Sequence, residues 1–421
     1  MKTFTKQSAW ILFAITVMLF NSNVINAQLE QPTDFITING TVKDSKSRKI
    51  LEYVNVSVPG TNIGTITNTD GFFSIKVPSV RKNSILEISH IGYLSTHIQL
   101  EGEDISNLTV WLAPNTNMLE EIIIRAKDPV LLVEEAISKI STNYSNKHGM
   151  LTGFYRETAQ KGRSYINIAE AIVDIYKTPY SQSINQDRVQ IYKGRQLLSQ
   201  RRSDTLAVKL QGGPNLAIFL DIAKNRDFMF AKEELQFYTF RMEEAVMINN
   251  RQQYVISFQP QVVIDYTLYH GKLFIDKESM AFTRAEIQLD LSDLNKATNA
   301  ILKKKPSGLR FRPTEISYLV NYKQQDGKTS LNYIRYEAKF RCDWRRRLFH
   351  TNYSIVSEMV VTDLREENVT SIPYRAAFKS TQSFSDKVSD FTDESFWGEY
   401  NIIEPTESLE SAVNRLRRQK R

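Results

Sequence analysis

Between Ile36 and Ala113 the apolar residues recur at every second position, in short runs broken by turn residues. Val54, Val56 and Val58 alternate with Asn55 and Ser57, the period of a strand buried on one face. Pro59-Gly60 closes that run. Asp70-Gly71 falls between Thr65-Ile66-Thr67 and Phe73-x-Ile75-x-Val77. This spacing predicts a hairpin, because a tight two-residue turn needs positive φ at its centre. Further strands are expected over Leu86 to Ile91, Leu94 to Leu100 and Leu108 to Leu112. About seven strands in about 80 residues, with no helical period, predict an antiparallel sandwich.

The pattern changes at Asp128-Pro129. Asp128 is placed to cap a helix whose first turn holds Pro129, and Val133, Ala136, Ile137, Ile140 and Tyr144 then fall on one face. A second short helix is expected near Leu216 to Lys224, after the Gly212-Gly213-Pro214 break. Most of the chain around and beyond it has the strand period: Tyr165 to Tyr176, Phe237 to Met242, Gln253 to Gln259, Val262 to His270, Lys272 to Ile275 and Phe282 to Leu289. Asp326-Gly327 joins Glu315 to Gln324 and Lys328 to Phe340 as a hairpin, and Tyr353 to Val361 adds another strand. The economical architecture is mainly β: a seven-stranded sandwich, then a larger antiparallel sheet, a half-barrel being one form of it, with a few helices. Large residues on its strands (Tyr254, Phe258, Tyr266, Phe274, Phe282) predict an apolar concavity if the sheet stays open, and ordinary core if helices cover it.

The front strands carry a resemblance. Ile38-x-Gly40-x-Val42-x-Asp44, Val54-x-Val56-x-Val58-Pro59-Gly60-Thr61-x-x-Gly64-Thr65, Thr69-Asp70-Gly71-x-Phe73-x-Ile75 and Ile91-Gly92-Tyr93 succeed one another in order. Together they resemble the carboxypeptidase-regulatory-like domain, a transthyretin-like module found in front of TonB-dependent receptors and in other envelope proteins. The resemblance implies no peptidase activity in the module. Leu119-Glu120-Glu121-Ile122-Ile123-Ile124 is similar to the short strand that comes after it in those receptors. The remaining chain lacks the dense ten-residue alternation of a large barrel and ends in Arg417-Arg418-Gln419-Lys420-Arg421, which argues against a receptor. Gly271-Lys272-Leu273-Phe274-Ile275-Asp276-Lys277 with Phe282 to Ile287 is similar to a short phrase of lipoprotein-carrier half-barrels. Gly153-Phe154-Tyr155-Arg156-Glu157 and Phe396-Trp397-x-x-Tyr400-Asn401 complete the likeness to exported proteins with this front module and an uncharacterised second part.

The first residues supply an address. Lys2 and Lys6 precede the uncharged run Trp10 to Phe20, and Ala27 offers a small residue before Gln28. That is a secretory signal over residues 1–27, and no later run approaches the roughly 18 apolar residues of a membrane helix. The expected organisation is therefore signal 1–27, sandwich 33–114, linker strand 115–127 and second domain 128–421. The protein is expected in the periplasm or at the outer membrane. A net charge of +7 is spread along the chain, so it points to a solvated basic surface and to no nucleic-acid partner.

Candidate chemistry is sparse. The single cysteine, Cys342, forms no intrachain disulfide; flanking arginines could activate its thiol, but a small strand residue is the simpler reading. The five histidines (His90, His97, His148, His270, His350) do not fall in a zinc-protease spacing, and no nucleophile elbow or phosphate loop occurs. No catalytic residue, metal site or cofactor is predicted. Asp/Glu pairs are abundant and favour no glycosidase dyad. Tyr155-Arg156-Glu157 with Glu170 is expected as an exposed cross-strand pair, a buried charge pair or polar binding point being the alternative. Lys303 to Lys305 and the basic tail are expected as solvated charge, with acidic headgroups the alternative; Phe396 and Trp397 are expected to latch the C-terminal helix. The reading is a non-enzymatic envelope protein whose sandwich is an interaction module and whose second domain binds a partner or an apolar ligand. A hydrolase acting on glycan or peptide, or a structural accessory subunit of an outer-membrane complex, are the alternatives.

Overall fold

The computed structural model describes residues 35–115, 128–201, 204, 206, 208–210, 212–226, 231–344, 350–379, 381–382, 384, 387–390 and 396–420. The expected signal (1–27) and linker strand (115–127) lie outside them, apart from Asn115.

Seven strands form the front: β1 (Phe35–Asp44), β2 (Asn55–Ser57), β3 (Gly64–Ile66), β4 (Phe72–Pro78), β5 (Ile85–Ser89), β6 (Thr96–Gln99) and β7 (Ile105–Leu112). They make a three-stranded sheet, β4-β1-β7, and a four-stranded sheet, β3-β2-β5-β6. Alternation in β1 is complete, with Ile36, Ile38 and Val42 buried, and Val54, Val56, Phe73, Ile75, Leu86 and Ile88 complete the core between the sheets. Two expectations need correction. β7 runs parallel to β1, so the sandwich is not wholly antiparallel. Nor do Thr65–Thr67 and Phe73–Val77 form a hairpin, since β3 and β4 belong to different sheets. Asn68 holds the crossing between them, its Oδ1 accepting from the amides of Asp70 and Phe72. Only Gly71 takes a positive φ there, 71°, while Asp70 does not, so the two-residue hairpin geometry is absent. Gly40 has a steric reason: a Cβ there would stand 2.7 Å from the Leu108 carbonyl and 2.9 Å from the Phe73 ring.

Beyond Asp128 come α1 (Pro129–Ser138), α2 (Ile140–Asn143), β8 (Gly149–Lys161), β9 (Ser164–Lys177), β10 (Arg188–Leu198), β11 (Lys209–Leu210) and α3 (Pro214–Phe219). They are succeeded by β12 (Tyr238–Met242), β13 (Val246–Ile248), β14 (Arg251–Pro260), β15 (Tyr269–Asp276) and β16 (Phe282–Leu289). The chain then forms α4 (Leu294–Ile301), β17 (Leu302–Lys304), β18 (Leu309–Gln325), β19 (Lys328–Trp344), β20 (Thr351–Arg365), β21 (Ser389–Asp390) and α5 (Glu407–Lys420). The large sheet runs β12-β14-β15-β16-β18-β19-β20-β8-β9-β10-β21, with β13 paired to β14, and among the described residues it does not close. All its pairings are antiparallel except β10 with β21. Asp128 caps α1 as expected, its carboxylate accepting from the Val130 amide. Asp326 and Gly327, with φ of 50° and 73°, turn the β18–β19 hairpin. The expected strand Val262 to His270 is instead mostly loop, with Val263 93% exposed and β15 beginning at Tyr269.

One face of the large sheet, the inner face, packs on α1, α2 and the segment after α3. Leu132, Val133, Ala136 and Tyr144 meet Tyr155, Val173, Ile256, Ile287, Tyr318 and Tyr336 in one core. Phe258 and Phe282 belong to that core and Tyr254 packs against it, while Phe274 lies on the other face of β15, in register with Arg284. Phe258, Phe274 and Phe282 are buried, while Tyr266 is half exposed. Helices and loops fill the face that an apolar concavity would need.

Candidate functional site

The outer face of the large sheet carries a row of charges that single-strand reading does not show. Each strand contributes one residue, and the registers place them directly opposite one another. The row runs Lys272 to Glu286, Glu286 to Leu319, Leu319 to Arg335, Arg335 to Glu358, Glu358 to Arg156, Arg156 to Glu170 and Glu170 to Arg195. Apart from Leu319 the sign alternates at every step, the arrangement in which each charge attracts both neighbours.

Half of this row is buried. Glu170 accepts from Arg156 Nε at 2.8 Å and from Arg195 Nε at 2.9 Å, with only 4% of the Arg156 and Glu170 side chains exposed. Arg156 also reaches Glu358 at 3.4 Å and the Ile403 carbonyl at 2.7 Å. Glu358 in turn accepts from the Tyr333 hydroxyl at 3.2 Å and Arg335 at 3.5 Å. Burial works against ionising Glu170, but Arg156 and Arg195 outweigh it and hold its carboxyl below the usual range. The expectation of an exposed Arg156–Glu170 pair is therefore wrong, and its alternative, a buried charge pair, is what forms. Glu157 points the other way, because neighbours on a strand face opposite sides.

The front sandwich and a late segment provide the cover. Ile66 packs with Phe154, Ile172, Tyr333, Val360, Trp397 and Ile403, and Tyr53 stacks on Tyr333 with ring centres 5.9 Å apart. Residues 396–406 lie between sandwich and sheet. Asn401 imitates a strand partner of β4, accepting from the Lys76 amide at 2.7 Å and donating to the Lys76 carbonyl at 3.1 Å. Thr65 donates to the Ile402 carbonyl, Asn68 to those of Glu404 and Pro405, and the Glu407 amide donates to Asp70. Trp397 meets Phe154 edge-on at 5.4 Å, with the Arg195 guanidinium 4.7 Å from its ring. These aromatics therefore fasten residues 396–406 and the front sandwich to the sheet, whereas α5, which they were expected to latch, packs separately through Leu409, Ala412 and Leu416 on Ile168 and Leu197.

The other half of the row opens into a cleft of about 860 Å³ beside Tyr53. Ser257, His270, Lys272, Arg284, Glu286, Arg335 and Glu337 line it. Arg284 pairs with Glu286 at 2.8 Å and Arg335 with Glu337 at 3.2 Å. His90 is partly buried near this cleft. Burial, with Arg284 near it, pushes its pKa down to about 4, so it is neutral at physiological pH.

Two further polar constellations lie on the inner face. Asp221, fully buried, accepts from Lys177, from the Tyr180 hydroxyl at 2.9 Å and from the Tyr322 hydroxyl at 2.8 Å. Lys224 donates to the Thr178 hydroxyl at 2.9 Å and to the Thr178 and Pro179 carbonyls, and burial lowers its pKa to about 8. Each charge here is hydrogen-bonded, the condition under which buried ions stabilise one packing. Glu157 lines a separate cavity of about 390 Å³ with Asn167, Ser357, Asp204 and Gly213. Burial raises its pKa, and the Tyr155 hydroxyl donates to it at 3.0 Å. Among the described residues no group of three or more His, Cys, Asp or Glu side chains could hold a metal. His97 pairs with Glu87 and His148 with Tyr176, while Cys342 is buried on β19 and burial pushes its thiol up to about 11.

Residues 38–124 match the family model for the CarboxypepD_reg-like domain. The front sandwich is a CarboxypepD_reg-like domain. It is 34% identical over 87 residues to TonB-dependent receptor P3 of Formosa agariphila, and 33% identical over 89 residues to TonB-dependent receptor SusC of Bacteroides thetaiotaomicron. Each match covers 21% of this chain and 8% of the receptor, so the chain spans less than a tenth of the curated relatives it matches. A solved DUF1329 family protein from Desulfovibrio piger is 10% identical, covering 58% of this chain and 96% of that one, with a TM-score of 0.25. A likeness that low carries no argument about fold or function. The similarity to receptors thus rests on the CarboxypepD_reg-like domain. No helix among the described residues is long and apolar enough to cross a membrane.

Proposed function

We propose that this is a non-enzymatic cell-envelope protein in which the CarboxypepD_reg-like domain is an interaction module, held in one orientation on the large sheet. In this reading the open half of the charge row binds a polar partner from the envelope. The observation that carries it is the continuity of the row: the same alternating charges that seat the domain run out from under it into the 860 Å³ cleft. The receptors that share the domain support the envelope address. An apolar ligand has less support, because Phe258 and Phe282 belong to the inner-face core.

A photo-crosslinking side chain at Gln288, which lines the cleft, tests the reading in intact cells of the source organism. A discrete adduct with an envelope protein, absent when the same group replaces the exposed Glu135 of α1 on the opposite face, is expected. Adducts that form equally from both positions, or none from Gln288, would remove the cleft as a partner site. Export is tested separately by mass spectrometry of the mature N-terminus, expected near Gln28 in the envelope fraction. Intact Met1 in the cytoplasm would end the envelope reading.

One observation favours the hydrolase alternative: the raised carboxyl of Glu157 in a polar cavity has the environment of a general acid. Hydrolysis of a glycan or peptide from a substrate panel, lost in Glu157→Gln at unchanged stability, would replace the non-enzymatic reading.

A further inference from the structure

Away from the cleft and the strap, the front sandwich presents a second surface. Lys43 sits on β1 between two exposed apolar neighbours, bridged to Ile50 on one side and in register with Trp111 of β7 on the other. Trp111 is 41% exposed and Ile50 43%. The Lys43 ammonium lies 5.8 Å and the Arg48 guanidinium 5.4 Å from the centre of the indole ring. Lys46 and Lys49 are exposed on the same turn, so four cations fall within residues 43–49.

The turn that carries them is built rather than loose. The Asp44 amide donates to the Lys49 carbonyl at 2.8 Å, and the Arg48 amide to the Asp44 carbonyl at 3.0 Å. Arg48 holds a φ of 61°. Asp44 is the one acid in the stretch, and its carboxylate is turned inward, accepting from the Lys46 and Ser47 amides and the Tyr93 hydroxyl. The only counter-charge on the turn is therefore already engaged by these donors, which leaves the cations to face outward.

We propose that this Trp111-centred face docks on an anionic lipid surface. An exposed indole with two cations against its ring, and Ile50 across Lys43 from it, suits the boundary between headgroups and acyl chains, where the ring is half apolar and the ammonium groups meet phosphate. The cations stand on a projecting turn and the apolar residues on the outside of a sheet, a relief that fits an extended surface. Neither the 860 Å³ cleft nor the Glu157 cavity includes these residues.

Co-sedimentation of the mature full-length protein with vesicles tests this. Vesicles of phosphatidylcholine containing about one-third phosphatidylglycerol should carry the protein down at low salt, pure phosphatidylcholine should not, and added salt should release it. Each cation removed, as in Lys43→Gln or Arg48→Gln, should weaken binding roughly fivefold, and Trp111→Ala should weaken it without a change in melting temperature. Lys339→Gln on the large sheet should leave it unaltered. Absence of binding to the anionic vesicles would overturn the proposal, as would binding that survives the patch variants but is lost in Arg417→Gln/Arg418→Gln. So would binding of soluble polyglutamate by a protein that ignores the vesicles, since that would assign the face to an acidic protein partner.

Discussion

Replacing Glu170 by leucine removes the centre of the buried charge row and should be among the most damaging single changes on the outer face. Leucine fills a similar space, so the effect is electrostatic and not a cavity. Arg156, with 4% of its side chain exposed, would lose its 2.7 Å carboxylate partner and be left with Glu358 at 3.4 Å, the Ile403 carbonyl and the Phe154 ring, and Arg195 would lose the Glu170 carboxylate. Breaking a buried pair by removing one member typically costs about 3–5 kcal/mol, because the remaining charge stays desolvated. Replacing the whole group by apolar residues costs far less. Arg156→Met/Glu170→Leu/Arg195→Met should therefore recover most of the loss that Glu170→Leu inflicts. Urea denaturation monitored by tryptophan fluorescence suits the purpose, since Trp397 packs on Phe154 and faces Arg195. A loss under about 1 kcal/mol for Glu170→Leu, the range of solvent-exposed pairs, would refute the claim that these charges are buried and seat the sandwich. A triple variant no better than the single one would refute the electrostatic account of the loss.

Asp276 seats the β15–β16 turn, accepting from Arg251 at 2.6 and 2.7 Å and from the Ser279 amide at 2.8 Å. Burial opposes its ionisation, yet these donors hold its pKa down at about 2. Its stabilising effect should be full above the unfolded value near 4 and vanish as pH falls towards 2; Asp276→Asn should be less stable at pH 7 and lose less on acidification in a pH series of urea midpoints. Cys342, its thiol pushed up to about 11, should resist maleimide labelling at pH 7.5 in the native protein and label on denaturation; fast native labelling would show the strand to be open there. Trp397→Ala should loosen residues 396–406 and raise hydrogen exchange at the Lys76 amide, which Asn401 now holds; unchanged exchange would mean that the Asn401 bonds alone secure the strap.

The fold was legible wherever a period and a punctuation residue agreed. Strand β16 begins and ends where the alternation of Phe282 to Leu289 does, and Asp326-Gly327 turns the hairpin its residue types demand. Asp70-Gly71 failed for a definable reason. A turn signal specifies local backbone but not which strands it joins, and the Asn68 side chain takes the amides that a hairpin would have paired across. Val262 to His270 failed similarly, because apolar residues in a loop can mimic a strand when nothing pairs with them.

The site was less legible, and the cause lies in register. Arg156 and Glu170 could be named from sequence because they lie on adjacent strands joined by a short turn. Whether the pair would be wet or dry depended on residues more than 200 positions away, among them Glu358, Ile403 and Trp397. A cross-strand row is a property of many registers at once: the one-residue irregularities at Ala159/Gln160 in β8 and Val361/Asp363 in β20 displace which residues face one another, and no single strand records them. The same reasoning bears on the front sandwich. Its own core could be assembled from local alternation, yet Ile66, which that pattern would bury inside the sandwich, packs instead with the large sheet and the strap. A residue that reads in sequence as core can serve as interface, and here that exchange ties the front sandwich to the charge row beneath it.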